Sequence, residues 1–207
     1  MALVLAAGRA SAQSEAEAST ANPHVGTDLA QRSLELLRRG EDSYDPAAKA
    51  EFYRQGLDLA KQAVAADDNN ADAHFALFAN MGRVMLADGA TPNPLNLLRV
   101  NRELDRTLEL DPHHSDALAA KGGLCRQLPR LLGGSLSKAE RYLQEAIAND
   151  PDAVGARIEL ARTYKDMGKA AQGVEPLRVA MSIAERQGKT RQLYEARELL
   201  KNIEQDQ

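Results

Sequence analysis

The sequence contains no tryptophan, a single cysteine, three phenylalanines and five tyrosines. A core without large aromatics has to be filled by aliphatic and small residues. Alanine takes that role here, with the best helix propensity and little bulk between helices. The lone Cys125 cannot close an internal disulfide, and one thiol says nothing about redox compartment. No apolar run approaches the ~20 residues of a membrane-spanning helix. Positive charge is not in excess: 26 Lys and Arg stand against 30 Asp and Glu, a net charge of −4. That balance speaks against a nucleic-acid partner, which needs a basic face. Alternating β-branched runs are missing too, so no strand is predicted.

The 207 residues, 43% apolar and 27% charged, suffice for one packed domain. Residues 2–8, ALVLAAG, are followed by Ala10-Ser11-Ala12 before Gln13. An apolar run ending in small residues at the −3 and −1 positions reads as the tail of a secretory signal peptide. Arg9 lies inside the run and the basic n-region is missing, so residues 1–12 are taken as a remnant of such a peptide. The protein is then expected to be periplasmic or secreted. The alternative is an Ala-rich terminus on a cytoplasmic protein. Residues 13–26 are polar and aperiodic and read as a disordered leader. A helical domain is expected over 27–207.

From Thr27 onward apolar residues recur at helical spacing. A first stripe through Leu29, Leu34 and Leu37 ends in Arg38-Arg39-Gly40, a pattern that stops helices. Asp45-Pro46 restarts the chain as N-cap and first helical residue. Three polar turns then resemble one another: Asp67-Asp68-Asn69-Asn70, Asp111-Pro112-His113-His114 and Asp150-Pro151-Asp152. Five positions before their second residues stand Ala63, Thr107 and Ala146; five after stand Ala73, Ala117 and Ala156. The turns are spaced by 44 and 39 residues.

This recurrence resembles the tetratricopeptide repeat, a helix–turn–helix unit of about 34 residues with a Trp-Leu-Gly-Tyr signature on its first helix and Ala-Phe-Pro on its second. The last copy carries Arg157, Leu160, Ala161 and Tyr164, then Gly173, Leu177 and Ala180. The middle copy carries Leu118, Lys121, Gly122 and Cys125, then Ala139, Leu143 and Ala146. The first full copy carries His74, Leu77, Phe78 and Met81, then Val100, Leu104 and Thr107. The resemblance implies an all-α solenoid of antiparallel hairpins at about 27–67, 71–111, 115–150 and 153–187, closed by a capping helix at 190–204. The first two full copies are longer than the repeat. Their extra residues are assigned to insertions between Arg83 and Pro94 and in Pro129–Gly134, with Ser137–Glu140 as the capping box that restarts the helix. The Pro-Arg-Leu-Leu-Gly-Gly segment is also similar to periplasmic repeat proteins associated with TRAP-type transport and to relatives of the regulator-of-microtubule-dynamics family.

Catalytic machinery is not legible. His113-His114 are neighbours on a turn without further metal ligands around them, Cys125 sits in a packed slot, and Gly133-Gly134 lacks the Lys-Ser/Thr of a phosphate loop. No cofactor, no metal and no enzyme activity is expected. The resemblance points instead to the concave groove lined by the first helix of each hairpin. On that frame the groove takes Phe75, Ala79 and Arg83 from the first copy, Ala119, Gly123, Arg126 and Gln127 from the middle one, and Ile158, Arg162 and Lys165 from the last. The expected partner is another protein or a peptide segment. The arginines would receive its carboxylates by charge-assisted hydrogen bonds, unless they pair with Glu or Asp of the chain itself. The Lys and Asn clamp that some family members close on a C-terminal carboxylate is not matched: its slots hold Phe75, Ala79, Ala120, Gly155 and Glu159. An alternative function is transport accessory, with a small or apolar ligand in a pocket left by Ala119, Ala120, Gly122 and Gly123.

Overall fold

The polar turns set the architecture. In each, the first Asp N–H closes the preceding helix on a small residue: Asp67 on Ala63, Asp111 on Thr107, Asp150 on Ala146, at 2.8–3.0 Å. Its carboxylate then accepts from the N–H two residues on, in Asn69, His113 and Asp152, at 2.8–3.0 Å. Its carbonyl accepts from the N–H three residues on, in Asn70, His114 and Ala153. One hydrogen-bond template is thus built three times. Asn70 and His114 add a side-chain cap to the following helix.

A computed structural model describes residues 23–89 and 94–205. Among these described residues are nine α-helices and no strand. They are α1 Pro23–Asp42, α2 Pro46–Ala66, α3 Ala71–Ala87, α4 Pro94–Leu110, α5 Ser115–Gln127, α6 Leu136–Asn149, α7 Val154–Asp166, α8 Val174–Arg186 and α9 Thr190–Gln205. Short 3-10 turns, Arg130–Leu132 and Ala170–Gly173, precede α6 and α8. Helices pair into antiparallel hairpins α1–α2, α3–α4, α5–α6 and α7–α8, and α9 packs on α7 and α8. The chain is an all-α helical-repeat solenoid.

The small-residue slots explain the close packing. Ala63, Thr107, Ala146, Ala73 and Ala117 are wholly buried, and Ala156 nearly so. In the last two hairpins the chain segments touch through a glycine. A Cβ on Gly122 would lie 2.5 Å from Leu143 Cγ, and one on Gly173 would lie 3.2 Å from Ala161. The core runs as consecutive clusters along the stack. Leu118, Leu143 and Leu160 fill the α5–α6–α7 junction, and Ile158, Leu177, Ile183 and Ile203 the C-terminal one.

Several sequence expectations are corrected. Helix α1 begins at Pro23, inside the stretch assigned to the leader; residues 1–22, with the signal-peptide remnant, lie outside the described residues. Gly40 does not stop α1, which runs on to Asp42. A Cβ there would sit 2.5 Å from the Tyr53 ring, so the glycine serves close approach of α2. Ser135, not Ser137, caps α6, accepting from Lys138 N–H at 3.3 Å. The extra residues after Arg83 are taken up largely by longer helices: α3 and α4 have 17 residues each, against 13 in α5 and α7. Residues 90–93 of that insertion lie outside the described residues.

Candidate functional site: the face shared by the first helices

A line of alternating charges runs from α5 to α7, on to the cap helix α9, and from there to α1 and α3. Arg126 of α5 donates from Nη1 to Asp166 of α7 at 3.0 Å and from Nε to Glu159 at 3.1 Å. Glu159 also accepts from Arg162 at 2.6 Å, and Arg162 reaches Glu195 of α9 at 2.7 Å. Glu195 lies 3.8 Å from Arg191, whose Nη2 donates at 3.1 Å to Glu41 of α1. Glu41 finally accepts from Arg83 of α3. Four arginines and four carboxylates therefore form one ladder, and Glu41–Arg191 ties the first helix to the last. Burial works against the Arg162 guanidinium, but its bonds to Glu159 and Glu195 outweigh that and hold its pKa above the ordinary value.

This arrangement redistributes the expected groove residues. Arg83, Arg126 and Arg162 are joined in the ladder. Gly123 is buried beside it, the position of its missing Cβ 3.8 Å from Glu159. Ala79, Ala119 and Lys165 are half-buried, and Gln127 is exposed. Phe75 and Ile158 do not line a groove. Phe75 packs in a core cluster with Leu104 and Ala117, its ring 4.9 Å from that of His114. Ile158 belongs to the α7–α8–α9 core. At both positions a neighbouring helix of the stack covers the side chain. The room expected at Gly122 for a small ligand is taken by Leu143.

Glu41, Arg191 and Glu195 were not found by sequence reasoning. Helix α1 has no repeat signature to set its frame. Continuing the frame past Gly188 would aim Gln192 and Ala196 at the groove, but Ala196 is wholly buried. Ala196 packs in the core, and Arg191 and Glu195 of the same helix reach the ladder.

Other titratable groups are accounted for by structure. His114 is not a solvated turn residue: its Nδ1 accepts from Ala117 N–H at 3.2 Å and its Nε2 faces Asp72 at 3.1 Å. His74, in the slot of the repeat tryptophan, is buried with Nδ1 2.8 Å from Glu103 and Nε2 3.1 Å from the Asp68 carbonyl. Cys125 is buried, and burial pushes its thiol pKa up against the pull of Lys121, Lys138 and Arg141. Nucleophilic chemistry needs the thiolate, which this environment disfavours. Among the described residues no three His, Cys, Asp or Glu side chains come together as metal ligands.

A thermophilic tetratricopeptide-repeat protein of Thermus thermophilus superposes on this chain with a TM-score of 0.55, over 81% of this chain and 98% of its own, at 18% identity. The fold is that of the tetratricopeptide repeat. Pseudomonas aeruginosa pilF is similar at a TM-score of 0.53 and 18% identity, covering 86% of this chain and 76% of its own. No protein-family profile matches the chain, and no curated protein matches it by sequence. At such identities the tetratricopeptide likeness concerns the fold, which presents the first helices side by side.

Proposed function

We propose that this protein is a non-enzymatic scaffold that holds a segment of a partner protein along the face shared by its first helices. The ladder from Asp166 to Arg83 supports the reading. It lines up charges on α1, α3, α5, α7 and α9, half-buried at Glu159, Arg126 and Arg162 and exposed at Asp166, Arg83 and Arg191. Being balanced, it does not suit a bare carboxylate, which would have to displace Glu159 or Glu195 and leave that group unpaired. A segment carrying both signs can exchange pair for pair, so no charge is stranded as the interface dries. The partner segment is therefore of mixed charge. The rival reading, a small or apolar ligand in a pocket at Ala119–Gly123, is weakened by Leu143 occupying the space at Gly122.

The test is site-specific photocrosslinking from the exposed Gln127 in living cells, with identification of the captured segment. Titration of that segment should then show Arg162→Ala binding about ten- to a hundredfold more weakly, the loss of a charge-assisted hydrogen bond. If Arg162→Ala binds as tightly as wild type, and Ala119→Asp is also without effect, the groove is not the site.

We further propose export, to the periplasm or beyond, on the apolar run and the Ala10-Ser11-Ala12 site alone. The exported protein should begin at Gln13. Recovery of residues 1–12 on the protein purified from cells would leave the cytoplasmic alternative.

A further inference from the structure

Among the described residues seven large apolar side chains are exposed, and five of them lie in or near the turns inside hairpins. Antiparallel hairpins put all their internal turns on the same edge of a stack. Tyr44 lies in the α1–α2 turn, Leu86 at the end of α3, Leu98 in the second turn of α4, and Leu131 and Leu132 between α5 and α6. The α5–α6 turn carries two of them side by side in sequence.

The α5–α6 turn is built to hold its leucines out. Leu132, Gly133 and Gly134 N–H groups donate back to the carbonyls of Pro129, Arg130 and Pro129 at 2.9–3.1 Å, and Ser135 N–H to that of Cys125 at 2.7 Å. Gly133 has φ +92°, and a Cβ on Gly134 would lie 1.7 Å from the Leu128 carbonyl oxygen. Two glycines and four hydrogen bonds thus fix a turn in which Leu131 is 98% exposed and Leu132 51%. A rigid turn that displays leucines to water contributes no burial to this chain. Between Leu128 and Tyr142 the charges are Arg130, Lys138 and Arg141 against Glu140 alone, in a chain of net charge −4.

We infer that the α5–α6 turn docks on an anionic lipid bilayer, with Leu131 and Leu132 entering the headgroup–acyl boundary and Arg130 meeting lipid phosphates. A fluid lipid surface suits two outward leucines on a fixed turn, because it receives them without a shaped pocket. Apolar insertion and basic attraction are each weak alone and together give reversible surface binding. No helix among the described residues is long and apolar enough to cross a membrane, so attachment would be peripheral.

The experiment is co-sedimentation of the full chain with vesicles of equal parts phosphatidylglycerol and phosphatidylcholine, and with phosphatidylcholine alone. Wild type should bind the anionic vesicles at least about tenfold more tightly than the neutral ones. The double change Leu131→Ser/Leu132→Ser should weaken anionic binding at least about tenfold, and Arg130→Gln about fivefold. Circular dichroism should show the same helical fold for the double variant, and Leu131→Ser alone, 98% exposed, should keep the wild-type thermal midpoint and still weaken anionic binding. Arg162→Ala, in the groove, should bind vesicles as wild type does, which separates this surface from the scaffold reading. Wild type that ignores anionic vesicles, or a double variant that binds as tightly as wild type, would overturn the inference and leave the leucines to a protein surface. Equal binding to neutral vesicles would overturn the anionic requirement.

Discussion

Glu159→Gln is the most informative change in the ladder. Glu159 accepts from Arg126 Nε and Arg162 Nη1, and its side chain is 22% exposed, with Arg126 at 18% and Arg162 at 31%. Gln keeps the shape and removes the charge, so two half-buried guanidinium groups each lose an anionic partner. Losing one partner of a fully buried pair costs about 3–5 kcal/mol, while exposed pairs contribute about 0–1. Asp166 and Glu195 stay in place to hold the two arginines, which lowers the expectation to about 1.5–2.5 kcal/mol. For a chain of this size that is a fall of about 3–10 °C in thermal midpoint. Glu41→Gln supplies the contrast. Its partners Arg83 and Arg191 are each 45% exposed, so the cost should stay below about 1 kcal/mol. Raising salt from about 0.1 to 1 M shortens the screening length from ~10 to ~3 Å. It should erase the Glu41 difference and spare most of the Glu159 one. The assay is thermal unfolding followed by circular dichroism at neutral pH. A Glu159→Gln midpoint within about 1 °C of wild type would show that water already screens the centre of the ladder, and the reasoning would fail.

Leu160→Ala should cost about 2–5 kcal/mol in denaturant unfolding, because Leu160 is 5% exposed in the cluster with Leu118, Leu143 and Tyr164; a cost under about 1 kcal/mol would mean that the site collapses freely. Gly134→Ala should destabilise by more than about 1.5 kcal/mol, since its Cβ would meet the Leu128 carbonyl at 1.7 Å, whereas Gly123→Ala should be tolerated, its nearest neighbour standing 3.8 Å away; equal midpoints for the two variants would contradict this. His114 titrates above its ordinary value of 6.5: burial lowers its pKa, but the hydrogen bond to Asp72 and the carboxylates of Asp72, Asp116 and Asp111 outweigh burial. A raised histidine pKa stabilises the fold below the unfolded value and loses that contribution as pH rises through the folded one. Asp72, held below its ordinary 3.8 chiefly by the same hydrogen bond, sets the acid limit, losing its contribution as pH falls through its folded pKa. Asp72→Asn should therefore lower the His114 midpoint seen by NMR, and cost more stability at pH near 5.5 than near 8. The Ala117 N–H bond to His114 Nδ1 favours the neutral ring, so an unchanged midpoint in Asp72→Asn would give that cap the controlling role.

The local elements were legible because short-range chemistry carries them. Asp45-Pro46 caps α2 as its residue types require, with Asp45 accepting from Ala47 and Ala48 N–H. The three polar turns share a template because an Asp that closes one helix also accepts from the N–H two residues on. The buried alanines around them follow from the close approach of stacked hairpins. Local reading failed where one residue type serves two purposes. Gly40 looked like a helix stop and is a contact point for Tyr53; Phe75 and Ile158 fell on groove positions and were covered by neighbouring helices.

The hairpin repeat was written in local chemistry: the period, the caps and the small residues that let helices touch are all encoded within a few residues of one another. How the charges pair depends on the assembled stack. Glu41 and Arg191 are separated by 150 positions and meet because the stack brings α1 and α9 within reach. Arg126 and Arg162 share Glu159 only once α5 lies on α7. Such contacts depend on the rotation of each helix and the summed offsets of the hairpins. No local periodicity announces which residues of the cap helix reach the ladder. The exposed leucines of Pro129–Gly134 were likewise visible as residues, but their outward setting follows from a backbone folded tightly enough to leave no room for a Cβ at Gly134.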